Sequence, residues 1–307
     1  MSARQFQGRM CDYEVLGRAD TWVGPGCELF GRCVNGPLEG QGVRIRELRC
    51  DDPHDAARVL RPLCDLRHAN IISVLDVAVS DERQYYVVLF PVLGRELIYP
   101  MRVVFAEARS PSLFVVLRVG LDLLCGLEAL QHRQPQESAA RETPDLPTAG
   151  AHVSPTTIHV GLDGMVRVLP FCPGRNLTSM QMENPGYTAP ERLRGFPPTR
   201  TGSLFGVGVL LFELLTARRL FDGDGDFERL NAVLERRIPL LRTLRPDLPP
   251  ALESVLSRAL EREPGARWPS VDLFANALRG SCGDERGKLE AVETRLGVSD
   301  LAWSRHG

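Results

Sequence analysis

Lysine is almost absent from this 307-residue chain: of 37 basic residues one, Lys288, is a lysine and the rest are arginines. A G+C-rich coding bias explains such a skew, yet the chemical consequence stands whatever its cause. No Schiff-base lysine, phosphate-loop lysine or desolvated lysine base is available between residues 1 and 287. Cysteine is present but unpatterned. The eight cysteines include no C-x-x-C pair and the six histidines no H-E-x-x-H, so neither a metal site nor a disulfide framework is expected. Long apolar runs are also missing. The best, from Leu204, is broken by Glu213 after nine residues, about half of what a membrane span needs. Met1-Ser2-Ala3-Arg4-Gln5 holds no apolar signal core, and a cytoplasmic location is expected. Nor does either sign of charge dominate. A formal net charge of −2 argues against a nucleic-acid coat or an acidic tail.

What is present is globular: 43% hydrophobic and 25% charged residues, enough for one large or two-lobed domain. Residues 13–50 alternate apolar and polar positions between glycines, which predicts a small antiparallel sheet. A helix is expected over about 52–66, opened by Asp51-Asp52-Pro53. Two β-rich runs follow, Ile71 to Ala78 and Tyr85 to Phe90. From Leu113 to His132 apolar residues recur at three and four (Val116, Val119, Leu123, Leu127, Leu130), the mark of an amphipathic helix. Residues 134–149, with Pro135, Pro144 and Pro147, read as a polar surface insert. A hairpin is expected around Asp163-Gly164, and from about residue 190 the pattern is helical. Asp222-Gly223-Asp224-Gly225-Asp226 opens like a calcium loop, but Phe227 and Val233 stand where glycine and glutamate belong, so it reads as a solvated turn.

Five phrases, in this order, resemble the Hanks-type (eukaryotic-like) serine/threonine protein kinases. They are Leu66-Arg67-His68-Ala69-Asn70-Ile71-Ile72, Tyr86 to Phe90 with Gly94-Arg95-Glu96-Leu97, Tyr187-Thr188-Ala189-Pro190-Glu191, Gly208 to Thr216, and Glu263-Pro264-Gly265-Ala266-Arg267-Trp268-Pro269. The resemblance implies an α+β, two-lobed fold with a small β-rich N-lobe and a larger helical C-lobe. Its kinase-like domain would cover 13–279 (N-lobe about 13–90, C-lobe about 95–279), after an extension 1–12 and before a tail 280–307. It also implies that Glu191 and Arg267 form a structural ion pair.

The catalytic positions do not follow the family. V-A-I-K falls on Val43-Arg44-Ile45-Arg46, with arginine in place of lysine. The glutamate that would orient the lysine falls on Val59. H-R-D-x-K-P-x-x-N falls on Gly150 to Thr157, with His152 for the aspartate, Ser154 for the lysine and Thr157 for the metal-binding asparagine. D-F-G falls on Pro170-Phe171-Cys172, and Ser203 replaces the aspartate that begins the central helix. The would-be nucleotide pocket holds Gly24 and Gly26 of an eroded glycine loop, Arg44 over the adenine position, Leu89 of the hinge strand and His159 below. His152 is expected to be a structural histidine whose loss matters little if its loop is exposed.

These substitutions lead to the expectation of a pseudokinase, a regulatory or scaffolding protein-binding module in signalling with no catalytic residue and no metal. ATP and Mg²⁺ binding is expected to be weak or absent. The implied partner is a protein, an active kinase or another signalling protein; neither nucleic acid nor a membrane span is implied. The alternative is an atypical ATP-dependent kinase or nucleotide-binding enzyme in which arginine and histidine replace the lost groups.

Overall fold

Alternation of apolar and polar side chains shapes the first part of the chain in the computed structural model, which describes residues 5–18, 28–49, 60–79, 84–132, 152–170, 185–197 and 199–281. Two units are distinguished, Met1–Leu93 with Leu169–Glu183, and Gly94–Val168 with Asn184–Gly307. In the first, strands β1 (Gln5–Gln7), β2 (Asp12–Arg18), β3 (Glu28–Cys33), β4 (Gly42–Arg49), β5 (Val74–Val79) and β6 (Gln84–Leu89) form one antiparallel sheet, ordered β1-β2-β3-β4-β6-β5. Period-2 side-chain placement puts Tyr13, Leu29, Cys33, Val43, Ile45, Tyr86 and Val88 in one buried cluster. Gly31 is required there. A Cβ at that position would lie 2.6 Å from both the Glu14 carbonyl oxygen and Ile45 Cδ1.

The extension expected over 1–12 is in part a strand of this sheet. Gln5–Gln7 pairs with Asp12–Glu14, and Phe6 stacks on Tyr13 and Tyr86 with ring centroids 5.3 and 4.3 Å away. Asp76 ties this end down, accepting from Met10 N–H at 2.8 Å and Tyr13 O–H at 3.1 Å. Burial, and then the Asp76 charge, raise the Tyr13 phenol above its ordinary value, so it remains a donor. Three residues are too few for alternation to announce a strand, which is why the sequence pattern did not reveal it. Of the helix expected over about 52–66, residues 52–59 lie outside the described residues, and Arg61–Asp65 is a 3₁₀ turn opened by a proline. The insert 134–149 and the tail beyond Ser281 also lie outside them.

In the second unit β7 (Gly94–Glu96), β8 (Ile158–Gly161) and β9 (Val166–Val168) make a small antiparallel sheet, and helices form the rest. These are α1 (Ile98–Glu107), α2 (Leu113–His132), α3 (Pro190–Leu193), α4 (Arg200–Thr216), α5 (Asp226–Glu235), α6 (Leu241–Leu244), α7 (Pro250–Ala259) and α8 (Val271–Gly280). Helix α2 spans the predicted residues and buries Val116, Val119, Leu123 and Leu127. It also buries a polar pair. Arg118 Nε donates to Asp122 Oδ1 at 2.8 Å, and Asp122 Oδ2 accepts the Val166 N–H at 3.0 Å, pinning the β8–β9 hairpin. Helix α4 is buried from Ser203 to Thr216, as expected of a core helix apolar all round. Thr199 caps it by accepting from the Gly202 N–H at 3.0 Å. Among the described residues no helix is long and apolar enough to cross a membrane.

Gly94 opens β7 with φ +155°, and a Cβ there would lie 2.0 Å from the Val160 carbonyl oxygen. Gly94→Ala is therefore expected to cost at least about 1–3 kcal/mol. Denaturant unfolding checks this; an unchanged midpoint would contradict the tight β7–β8 crossing.

Candidate functional site

The register of β3, β4 and β6 places Glu28, Phe30, Arg44, Arg46, Val87 and Leu89 on the face opposite the buried cluster. Glu28 lies across from Arg46, Phe30 and Leu89 lie across from Arg44, and Val87 lies across from Arg46. One carboxylate oxygen serves two guanidinium groups: Glu28 Oε1 is 2.7 Å from Arg44 Nε and 3.6 Å from Arg46 Nε. The side chains are 1% (Glu28), 11% (Arg44) and 1% (Arg46) exposed. Charges buried this deeply must be compensated, and a carboxylate sharing an oxygen between two arginines is one way to do it. Leu89 is buried beside Arg44. Gly24, Gly26 and Val59 lie outside the described residues.

A second charged pair lies on the small sheet of the other unit. Glu96 and His159 are cross-strand partners, and Nε2 of His159 is 3.7 Å from Glu96 Oε1, both side chains being buried. Residues 154–157 form a turn closed by hydroxyl groups. Thr157 Oγ1 donates to the His152 carbonyl at 2.6 Å and accepts from the Ser154 N–H at 3.0 Å, while Ser154 Oγ and Thr156 Oγ1 lie 2.9 Å apart. Ser154, Thr156 and Thr157 are all buried. The condition that the His152 loop be exposed is met only in part, for the residue is half-buried. Its Nε2 is buried and takes no hydrogen bond among the described residues. Burial, and then the charge of Arg192, hold the imidazole at about 4 against an ordinary 6.5. It is neutral near pH 7 and a poor base. Pro170 is buried after β9, and a proline ring offers a metal no ligand; Phe171 and Cys172 lie outside the described residues.

Glu191 on α3 and Arg267 meet in a bidentate pair. Nη1 donates to Oε1 and Nη2 to Oε2, both at 2.7 Å. The other donors of Arg267 reach the carbonyls of Glu261 (2.6 Å), Thr201 (3.2 Å) and Arg262 (2.9 Å), and its guanidinium stacks 5.1 Å over Phe205. Thr199 Oγ1 adds a bond to Glu191 Oε1 at 3.1 Å. Burial alone would raise the Glu191 carboxyl, but the bonds from Arg267 and Thr199 hold it below its ordinary value.

No family model matches the chain. Among curated proteins, the tyrosine-protein kinase MasK of Myxococcus xanthus (strain DK1622) is 31% identical over 220 residues, 69% of this chain and 33% of MasK. The serine/threonine-protein kinase PksC of Streptomyces coelicolor is 26% identical over 237 residues, 73% of this chain and 40% of PksC. The serine/threonine-protein kinase PrkC of Bacillus subtilis (strain 168) is 25% identical over 243 residues, 75% of this chain and 35% of PrkC. The chain belongs to the protein-kinase family. Its curled antiparallel sheet and helical second part agree with the two-lobed α+β kinase fold. It spans two-fifths or less of the length of these relatives.

Within this kinase-family chain, sequence reasoning missed two buried carboxylates. Glu28 follows Gly24 and Gly26 of the eroded glycine loop and Glu96 lies in a matching phrase, and the sequence pairs neither with a cation. The available signal was one of register, since a charged residue inside an apolar strand needs a partner across it. Glu213 stands out in the sequence as the break in an apolar run and as part of the phrase Gly208 to Thr216. It is a buried acceptor for Tyr187 O–H and for the Leu220 N–H at 3.0 Å, and burial raises its carboxyl.

Proposed function

We propose that this protein-kinase-family chain transfers no phosphate and works as a regulatory or scaffolding module that binds a protein partner in signalling. An active kinase or another signalling protein is the partner class, and a cytoplasmic location belongs to the same proposal. The observation that carries the reading is the turn 152–157. Phosphoryl transfer needs a base facing the substrate hydroxyl and hard ligands for Mg²⁺. At those positions stand a half-buried histidine whose imidazole is held at about 4 and a threonine whose hydroxyl is engaged with the backbone on both sides. Pro170 supplies no oxygen from its side chain, and the arginine at the lysine position is paired with Glu28. These residues do not fit Mg²⁺-ATP, so the proposal includes weak or absent binding of nucleotide and metal.

Relatives of this chain are named as kinases, so the test is direct. In a thermal titration with millimolar ATP, with and without Mg²⁺, the melting temperature of the full chain should stay within about a degree, because a ligand that binds the native state raises it by mass action. A rise of several degrees that requires Mg²⁺ would contradict the reading.

A further inference from the structure

A recess of about 280 Å³ lies within the second unit, between the segment that leaves α5 and the end of α7. Ile238, Pro239, Leu240 and Leu260 give it an apolar wall. Leu260 is buried, whereas Leu240 is 57% exposed, so the recess opens to solvent past Leu240. Its polar residues are Ser257, Glu261 and Arg262. Arg262 is already committed. Its Nε donates to the Val233 carbonyl at 3.0 Å and its Nη2 to the Arg236 carbonyl, which satisfies carbonyls at the C-terminal end of α5. The Glu261 carboxylate and the Ser257 hydroxyl are exposed and have no hydrogen-bond or ion-pair partner among the described residues. The charge left for a ligand is therefore negative, and it stands at the edge of an apolar wall.

We propose that this recess receives a lysine or arginine side chain from a basic segment of a protein partner, the methylenes lying on Ile238, Leu240 and Leu260 and the cationic head at Glu261 and Ser257. Both side chains carry a charged tip on an apolar stem, which matches the apolar wall and the carboxylate beside it. An anionic group would be repelled by Glu261. A wholly apolar group would strip water from Glu261 and Ser257 without replacing its hydrogen bonds. The proposal rests on the reading of the chain as a protein-binding module and adds the chemistry of the partner. It uses no residue of the turn 152–157 and none of the Glu28 cluster, so the two fail separately.

The probes are the blocked peptide acetyl-Gly-Leu-Arg-Leu-Gly-amide and two forms of it, with citrulline (the neutral isostere) or glutamate in place of arginine. Each is titrated into the full chain with labelled methyl groups, and binding is read by NMR at the methyl signals of Ile238, Leu240 and Leu260. The arginine peptide should move these signals. The citrulline form should bind about fivefold more weakly, the order expected of an ion pair at a partly exposed site, and the glutamate form should not bind. The preference for arginine should fade as salt rises. Glu261→Gln should remove it, whereas Glu228→Gln, which changes an exposed carboxylate outside the recess, should leave it in place. Equal binding of the arginine and citrulline peptides would overturn the proposal. So would a preference that survives Glu261→Gln, or methyl signals that no peptide moves. Labelled phosphate transferred by the natural chain would refute the inactive reading and leave this comparison intact.

Discussion

Replacing Glu191 or Arg267 alone by alanine is expected to destabilise the second unit by about 3–5 kcal/mol, because either change leaves a buried charge without its partner. The geometry supports the upper part of that range for Arg267. Its side chain is 0% exposed and its donors reach Glu191 and three backbone carbonyls. The double change Glu191→Leu with Arg267→Met should recover much of the loss, since no orphan charge remains. The pH dependence has a definite sign. A carboxyl held below its ordinary 4.5 stabilises the fold fully above that value and loses the contribution as pH falls through its lower folded value. Chemical unfolding of the single and double variants at pH 7 and pH 4 checks this. Neutral, additive single changes would contradict the pair.

His152 gives the second large effect, opposite in chemistry. Its folded imidazole is held at about 4 against an ordinary 6.5, so between those values the unfolded chain takes up a proton that the folded chain refuses. Stability should therefore fall as pH drops through that window, at about 1.4 kcal/mol per unit and up to about 3 kcal/mol in all. His152→Asn removes the titrating group. Its stability at pH 4.5 relative to pH 7 should decline less than that of the natural chain by most of this amount. Identical pH profiles would show that His152 is solvated and titrates normally.

Strong local patterns made much of the fold readable. Helix α2 begins and ends where the three-and-four spacing of Val116, Val119, Leu123 and Leu127 placed it, and the β8–β9 hairpin turns at Asp163-Gly164, where Gly164 takes φ +76°. Strand β1 was not readable, since three residues and one aromatic carry no period. The replacements that the kinase resemblance implies, a proline and a threonine where the family has metal ligands, come from residue identity alone. What replaced the lost groups is not legible there. The Glu28–Arg44–Arg46 cluster and the Glu96–His159 pair depend on cross-strand register, which one strand's sequence does not contain. Burial of the His152 Nε2 depends on packing around a turn whose own residues, Ser154 and Thr157, are polar.

The most direct measurement is incubation of the full chain with γ-labelled ATP and Mg²⁺ or Mn²⁺, alone and with a generic protein substrate. On the proposed reading, which puts His152, Thr157 and Pro170 at the positions for base and metal, no label should be incorporated above a no-enzyme control. Metal-dependent incorporation that disappears in His152→Asn would show that this loop performs phosphoryl transfer after all, and would contradict the account at its centre.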